Sequence, residues 1–201
     1  MTVDHAAPRR QLRNELRQRR RALPAAHRIA AAERLADNLF ALPFAPSEGY
    51  VAGYWATDGE IGLHAWQLKL PPGCVYCLPV LAADRLQFAP WRPGDPLITN
   101  TYGIPEPEVG PGSLLDVRQM ALVVAPLVGF DVRGARLGMG GGWYDRSLAF
   151  RQKRPGPPPW LVGAAFSVQQ VESLDTADWD VGLDAVCTES TTHDFRNLSA
   201  R

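Results

Sequence analysis

Cysteine is scarce in this chain. Three stand among 201 residues, Cys74, Cys77 and Cys187. So small and odd a number excludes a disulfide framework and fits a reducing compartment. Long apolar runs are also missing. None reaches the ~18–20 residues that a membrane span needs, and the arginines near the start are followed by no apolar core of a secretory signal. The expectation is a soluble, cytoplasmic protein. No charge of one sign dominates, since 21 Lys and Arg meet 21 Asp and Glu. The field of the whole molecule therefore singles out neither nucleic acid nor a membrane surface. Several chemical signatures are absent too. There is no G-x-x-x-x-G-K-[ST] phosphate loop and no G-x-S-x-G, and the four histidines stand in no recognisable triad context, which sets a Ser-His-Asp hydrolase aside. Cys74-Val-Tyr-Cys77 has redox or zinc spacing, but no second cysteine pair completes a zinc site. It also sits in an apolar, aromatic run that reads as a strand, where residues i and i+3 point to opposite faces.

What is present is an ordinary globular composition, 46% apolar and 21% charged, in a length that suits a single domain over 1–201. The neutral balance hides an asymmetry. Residues 9–21 hold seven arginines and one glutamate, and the rest of the chain is correspondingly acidic. Residues 8–23 read as a helix with Leu12, Leu16 and Leu23 on one face and Pro8 in its first turn. A second, alanine-rich helix is predicted from Pro24 to Leu42, stopped by Pro43 and Pro46. Strands and helices then alternate. Strands are predicted at 50–55, 74–80, 86–91, 122–128, 161–166 and 185–188, and helices at 61–70, 143–152 and 168–174. Residues 92–112 read as a long loop, 154–159 as a stiff surface linker, and the segment from Ser190 as a tail. The alternation predicts an α/β domain, a three-layer α/β/α arrangement around a mostly parallel sheet.

The most informative segment runs from Gly134 to Arg146. Four glycines fall in five positions, 138, 140, 141 and 142. Such a run costs backbone entropy and lets amides approach a ligand closely. Successive amides between a buried strand and a helix make an anion site at the C-terminal end of a sheet, and Arg136 adds a fork suited to phosphate. The alternative is a flexible surface loop. The spacing is not that of a dinucleotide fingerprint, whose last glycine would fall on Trp143. Asp145, in the first turn of the next helix, would repel polyphosphate unless a divalent cation lay between them, and magnesium is usually held by one or two carboxylates together with phosphates. Its structural alternative is helix capping.

Val128-Gly-Phe-Asp-x-x-Gly-x-Arg-Leu-Gly-x-Gly-Gly-Gly-Trp-Tyr-Asp145 resembles the signature of the 5-formyltetrahydrofolate cyclo-ligase family. Arg9-Arg-Gln-Leu-Arg-Asn-Glu-Leu, Tyr54-Trp-Ala-Thr-Asp-Gly-Glu-Ile, Tyr102-Gly-Ile-Pro-Glu-Pro, Gly163-Ala-Ala-Phe-Ser-Val-Gln and Asp180-Val-Gly-Leu-Asp-Ala-Val are similar to further family segments, in the same order. Together they cover residues 9–189. The resemblance implies an α/β/α fold and ATP-dependent closure of 5-formyltetrahydrofolate to 5,10-methenyltetrahydrofolate through a phosphorylated formyl group, with magnesium as cofactor. It places Arg9, Arg13 and the loop Arg136, Leu137, Gly138, Met139, Gly140, Gly141, Gly142, Trp143 and Tyr144 at the nucleotide. It places Trp55, Glu60 and Tyr144 at the folate, and Asp145 and Asp180 at magnesium. Arg136, Tyr144 and Asp145 are the implied catalytic set. Arg9 stands where the family usually has lysine, Trp143 where tyrosine is usual, and Trp179 where histidine commonly precedes Asp180.

Read from the residues alone, Thr57-Asp58-Gly59-Glu60 has the S/T-x-x-E pattern of a capping box leading into 61–70. Asp180 can equally be a solvated acid in the stretch 175–184, and Tyr102 and Glu106 read as ordering a proline-rich turn. The competing class is a nucleic-acid-binding protein that grips phosphates with the arginines of 9–21. No aromatic-basic surface or nucleic-acid motif accompanies them. The resemblance implies folate and ATP as partners, and the expectation is a monomer that uses neither membrane nor nucleic acid.

Overall fold

The structure, a computed structural model, describes residues 6–153 and 156–196. Two helices open it, α1 (Ala6–Arg21) and α2 (Ala25–Phe40). They are followed by β1 (Glu48–Ala52), the short α3 (His64–Leu68), and the hairpin β2 (Gly73–Ala82) and β3 (Arg85–Pro90). A small ribbon, β4 (Leu97–Thr99) and β5 (Pro105–Pro107), precedes β6 (Met120–Pro126). Next come β7 (Gly129–Asp131), β8 (Arg136–Leu137), α4 (Trp143–Leu148), α5 (Phe150–Lys153) and β9 (Trp160–Ala164). The chain closes with β10 (Gln170–Val171), β11 (Ala185–Cys187) and β12 (Thr192–Asp194).

Seven strands form one sheet in the order β12-β11-β9-β6-β1-β2-β3. β11, β9, β6, β1 and β2 run parallel, and the two edge strands β12 and β3 are antiparallel. Side chains alternate between two cores, as the period of a strand requires. Val51, Leu122, Val124 and Val162 face α2 and α3, against Leu35, Leu39 and Trp66. Ala52, Val123, Ala125 and Leu161 face the other side, against Leu148 of α4 and Phe150 of α5. That is the three-layer α/β/α arrangement expected from the alternation. Residues covered on both faces explain why β6 reads as a nearly unbroken apolar run. Cys74 packs into the first core and Cys77 into the second, with all three thiols free. Among the described residues no helix is long and apolar enough to cross a membrane.

The order of strands reverses between β1 and β6. In open α/β sheets ligands lie beyond the C-terminal ends of the strands at such a switch point. α1 lies over that end. Its Leu16 is fully buried against Val128, Leu137 and Leu174, and a Cβ on Gly129 would meet Leu16 at 2.5 Å.

Several expectations need correction. The helix predicted at 168–174 is a single 3-10 turn at Ser167–Gln169 followed by strand β10, which pairs with β7. Val168, Val171 and Leu174 have helical spacing, but the Asp131 carboxylate takes the Leu174 N–H at 3.0 Å and holds the chain extended. The helix predicted at 61–70 shrinks to His64–Leu68 and has no side-chain cap. The loop 92–112 contains β4 and β5, ordered by buried Glu106, which accepts from the Leu81 N–H and the Asn100 amide. The tail from Ser190 supplies edge strand β12, and its residues 197–201 lie outside the described residues, as do 154 and 155 of the linker.

Candidate active site

Two clusters meet beneath α1. The first surrounds the glycine loop. A hairpin launches it: Asp131, fully buried, accepts from the N–H groups of Arg133 and Ala135 at 2.9 and 3.0 Å, so the β7–β8 turn is built around one carboxylate. The turn aims Arg136, whose Nε donates to the Val181 carbonyl at 3.0 Å and whose Nη2 binds Asp145. Gly140 and Gly142 take φ of +99° and +66°, a region that L side chains avoid, so the glycines are needed there. The carbonyls of Gly138 and Gly141 are taken by Arg13 Nε at 2.9 Å and Arg146 Nη1 at 2.8 Å. The N–H groups of residues 138–142 donate to no acceptor among the described residues. A loop with its carbonyls tied back by arginines and its amides left open is built to receive an anion. Arg9 Nε is buried nearby, also without an acceptor among the described residues.

Leu137 belongs to this loop through its backbone alone, because its side chain packs with Leu16 and Val128. Met139 is exposed, and Trp143 lies under the Arg146 guanidinium at 4.9 Å from its ring centre. Tyr102, set aside at the sequence level, stands edge-on to Trp143 at 6.1 Å between ring centres. It is an aromatic rim of the loop that sequence reasoning missed.

Asp145 does not cap α4. The N-cap is Gly142, without a side-chain bond, and the Asp145 carboxylate instead accepts from Arg136 and from the Val181 N–H at 3.2 Å. Asp180, one residue before Val181, accepts from both Arg9 Nη atoms at 3.3 Å and from the Ala177 N–H at 2.9 Å. It is therefore not a freely solvated acid. Each carboxylate commits one oxygen to the protein, and the other accepts no hydrogen bond among the described residues. No group of three or more His, Cys, Asp or Glu converges on a metal position among the described residues.

The second cluster follows β1. Thr57–Glu60 is a tight turn, closed by the Glu60 N–H on the Thr57 carbonyl at 2.9 Å, with positive φ at Asp58 and Gly59. Those two angles are the mark of a type I′ turn, for which Asp-Gly is a preferred pair. The capping-box expectation fails here. The Thr57 N–H does donate to Glu60 at 3.0 Å, but no helix starts until His64. Glu60 is largely enclosed, and Arg20 lies 3.8 Å from it. Burial raises the pKa of Glu60, while the Thr57 bonds and Arg20 oppose that rise. Burial likewise raises Tyr54 and Tyr144, and each also feels the Glu60 carboxylate. Tyr144 therefore joins the clusters, adjacent to Asp145 in sequence and coupled to Glu60 in space. Trp55 is partly exposed and stands edge-on to Trp91 at 5.7 Å. Trp91 carried no signal in the sequence beyond ending an apolar strand.

The arginines of α1 are mostly engaged with the body. Arg9 and Arg13 reach the first cluster, Arg17, Arg20 and Arg21 all bind Asp58, and Arg19 pairs with Glu15 along the helix.

Comparison with known proteins places the chain among relatives. The 5-formyltetrahydrofolate cyclo-ligase family model matches residues 5–189. The 5-formyltetrahydrofolate cyclo-ligase of Haemophilus influenzae is 37% identical over 180 residues, covering 87% of this chain and 94% of that one. The enzyme of the same name from Escherichia coli K12 is 36% identical over 180 residues, covering 87% and 97%. The NMR structure of Aquifex aeolicus 5,10-methenyltetrahydrofolate synthetase superposes with a TM-score of 0.78 at 28% identity, covering 94% of this chain and 93% of that one. With matches spanning nearly its whole length, and both clusters inside them, the chain belongs to the 5-formyltetrahydrofolate cyclo-ligase family.

Proposed function

We propose that the chain performs the reaction for which its family is named, the cyclisation of 5-formyltetrahydrofolate to 5,10-methenyltetrahydrofolate, using ATP. The observation that carries this reading is the loop 138–142, its amides open between Arg13 and Arg136, with the enclosed Glu60 carboxylate held near Arg20 further along the same helix as Arg13. The formyl oxygen is a poor leaving group. Transfer of the γ-phosphoryl group to it releases ADP and makes that oxygen part of a phosphate ester. N10 then attacks the formyl carbon, the new C–N bond closes the ring, and inorganic phosphate departs with the oxygen.

The protein's part is to position and to neutralise charge. Arg9, Arg13, Arg136 and the amides of residues 138–142 receive the phosphates. Glu60 accepts adjacent N–H donors of the pterin as a pair, Trp55 offers it an aromatic edge, and Tyr144 stands between nucleotide and folate. Asp145 and Asp180 fit magnesium as a two-carboxylate set with one uncommitted oxygen each, completed by phosphate oxygens. When bound, the ion neutralises the charge that spreads over the transferred group. Three free thiols suit a cytoplasmic setting.

Nucleic-acid binding is the second reading, and it is weakened by α1, whose arginines at 9, 13, 17, 20 and 21 have partners in the body of the protein. The test is incubation with 5-formyltetrahydrofolate and MgATP. A product absorbing at longer wavelength, with one ADP and one phosphate released per turnover, is expected. Product formed equally well without ATP would refute the proposal.

A further inference from the structure

Arg20 is fully buried, the bulkiest such side chain among the described residues. Its Nε donates to the Asp58 carbonyl at 3.0 Å, its Nη1 to the Leu127 carbonyl at 3.2 Å and its Nη2 to Asp58 Oδ2 at 2.7 Å. Leu127 leaves the end of β6, and Asp58 lies in the turn that follows β1. These neighbouring strands flank the point where the strand order reverses. One guanidinium thus spans the crevice and ties its two lips together. Burying a charge is costly unless its donors are used, and the fork geometry of arginine, unlike the point charge of lysine, can serve three acceptors at fixed angles. The turn it holds includes Asp58 at φ +53°, a left-handed conformation that aspartate adopts in such turns at some cost relative to glycine, which the Arg20 bonds to its carbonyl and carboxylate help to offset.

We propose that Arg20 is a positioning residue for the folate half of the site, fixing the Asp58-Gly59 turn across the ends of β1 and β6 and keeping a positive charge against Glu60. The inference rests on the reading of Glu60 as the pterin-binding carboxylate. Around Glu60 stand Thr57 on the same turn, Arg20 and Arg17 from α1, Tyr54 after β1, and Tyr144 from α4, with Tyr76 of β2 beside Tyr54. Only the two arginines favour its charge from a distance, and Arg20 acts more strongly than Arg17. Burial opposes that charge. Without Arg20, Glu60 takes up a proton at higher pH, and a protonated acid no longer accepts two N–H bonds.

Arg20→Met and Arg20→Lys in the full chain, with Glu60→Gln as reference, test this. The measurements are the KM for 5-formyltetrahydrofolate and for MgATP, and the pH profile of kcat/KM for folate, with melting curves to verify folding. Arg20→Met is expected to raise the folate KM roughly tenfold or more, one charged hydrogen bond's worth, to leave the ATP KM within about twofold, and to move the acid limb to higher pH. Arg20→Lys keeps the charge but loses the three-way fork, so its acid limb returns toward the parent while its folate KM stays raised. If Arg20→Met does not fold, the folate KM of Arg20→Lys decides alone. Folded Arg20 variants with a normal folate KM and an unmoved acid limb, or with equal losses for ATP and folate, overturn the proposal. A normal folate KM in Glu60→Gln would remove the assignment of Glu60 itself, and the proposal with it. A raised KM there beside normal Arg20 variants would remove the proposal alone.

Discussion

The two ends of α1 serve two regions built on opposite plans. At its N-terminal end the glycine loop keeps its amide donors open and ties only its carbonyls back to arginines. Toward its C-terminal end the Thr57–Glu60 turn is gripped by side chains, with the Asp58 carboxylate held by Arg17, Arg20 and Arg21. An open set of donors costs little while water can reach it, and Met139, Gly140 and Gly141 are exposed. It gains most when a polyanion arrives. A turn clamped by three arginines is pre-organised and presents one enclosed carboxylate whose geometry is set before any ligand binds. The difference predicts that the loop responds to ligand by ordering and the turn hardly at all.

The largest expected effect breaks the loop side. Asp145→Asn removes both the proposed metal charge and the counter-charge of Arg136, which is only 6% exposed. Turnover should fall by roughly 10²-fold or more, with partial recovery at high magnesium. The ion pair also matters to the fold, so a stability loss of about 1–3 kcal/mol accompanies it. That exceeds the few tenths expected of a helix-dipole contact. Rates across a magnesium titration, paired with a melting curve, check both. Normal turnover at low magnesium would remove the metal assignment and leave the loop as an anion site.

Next comes the turn side. Glu60→Gln keeps the size of the side chain and loses its charge, and should raise the folate KM about 10–100-fold, the worth of a charged pair of hydrogen bonds, while the ATP KM stays put. Steady-state kinetics with each substrate varied in turn would show it. A variant that lost affinity for ATP instead would place the two ligands the other way round.

Arg13→Ala sharpens the contrast. It releases the Gly138 carbonyl and removes a phosphate partner, so the ATP KM should rise by an amount equivalent to about 1–3 kcal/mol with little change for folate. Equal effects on both substrates would mean that α1 serves the site as a scaffold only.

The smallest effect concerns the hairpin beneath the loop. Burial alone would raise the Asp131 carboxyl, but the N–H groups of Leu174, Arg133 and Ala135 and the Arg133 side chain outweigh it and hold its pKa below the ordinary value. A depressed folded pKa stabilises the native state above the unfolded value, and that contribution fades as pH falls through the folded one. Asp131→Asn should therefore lower the melting temperature near neutral pH by a few degrees, and the gap to the parent should close below about pH 4. A gap independent of pH would mean that shape rather than charge matters at this position.

Much of this was readable beforehand. The glycine loop announced itself because four glycines in five positions have few other uses, and the opposite faces of Cys74 and Cys77 followed from strand period alone. The parallel core was legible in the apolar run of β6. The turn at 57–60 was not, because Thr-x-x-Glu satisfies a capping box and a tight turn equally well. The Asp58-Gly59 pair was the signal that favoured the turn. β7, β8 and β10 are two or three residues long and leave no period to read. The Val181 partner of Asp145 and the Arg9 partner of Asp180 are contacts across 36 and 171 positions, beyond the reach of any local pattern.

Residue-resolved hydrogen exchange with MgATP alone tests the contrast most directly. Amides at 138–142 should become protected on binding, while those at 57–60 keep the exchange rates of the free protein. Protection at 57–60 with none at 138–142 would contradict the account.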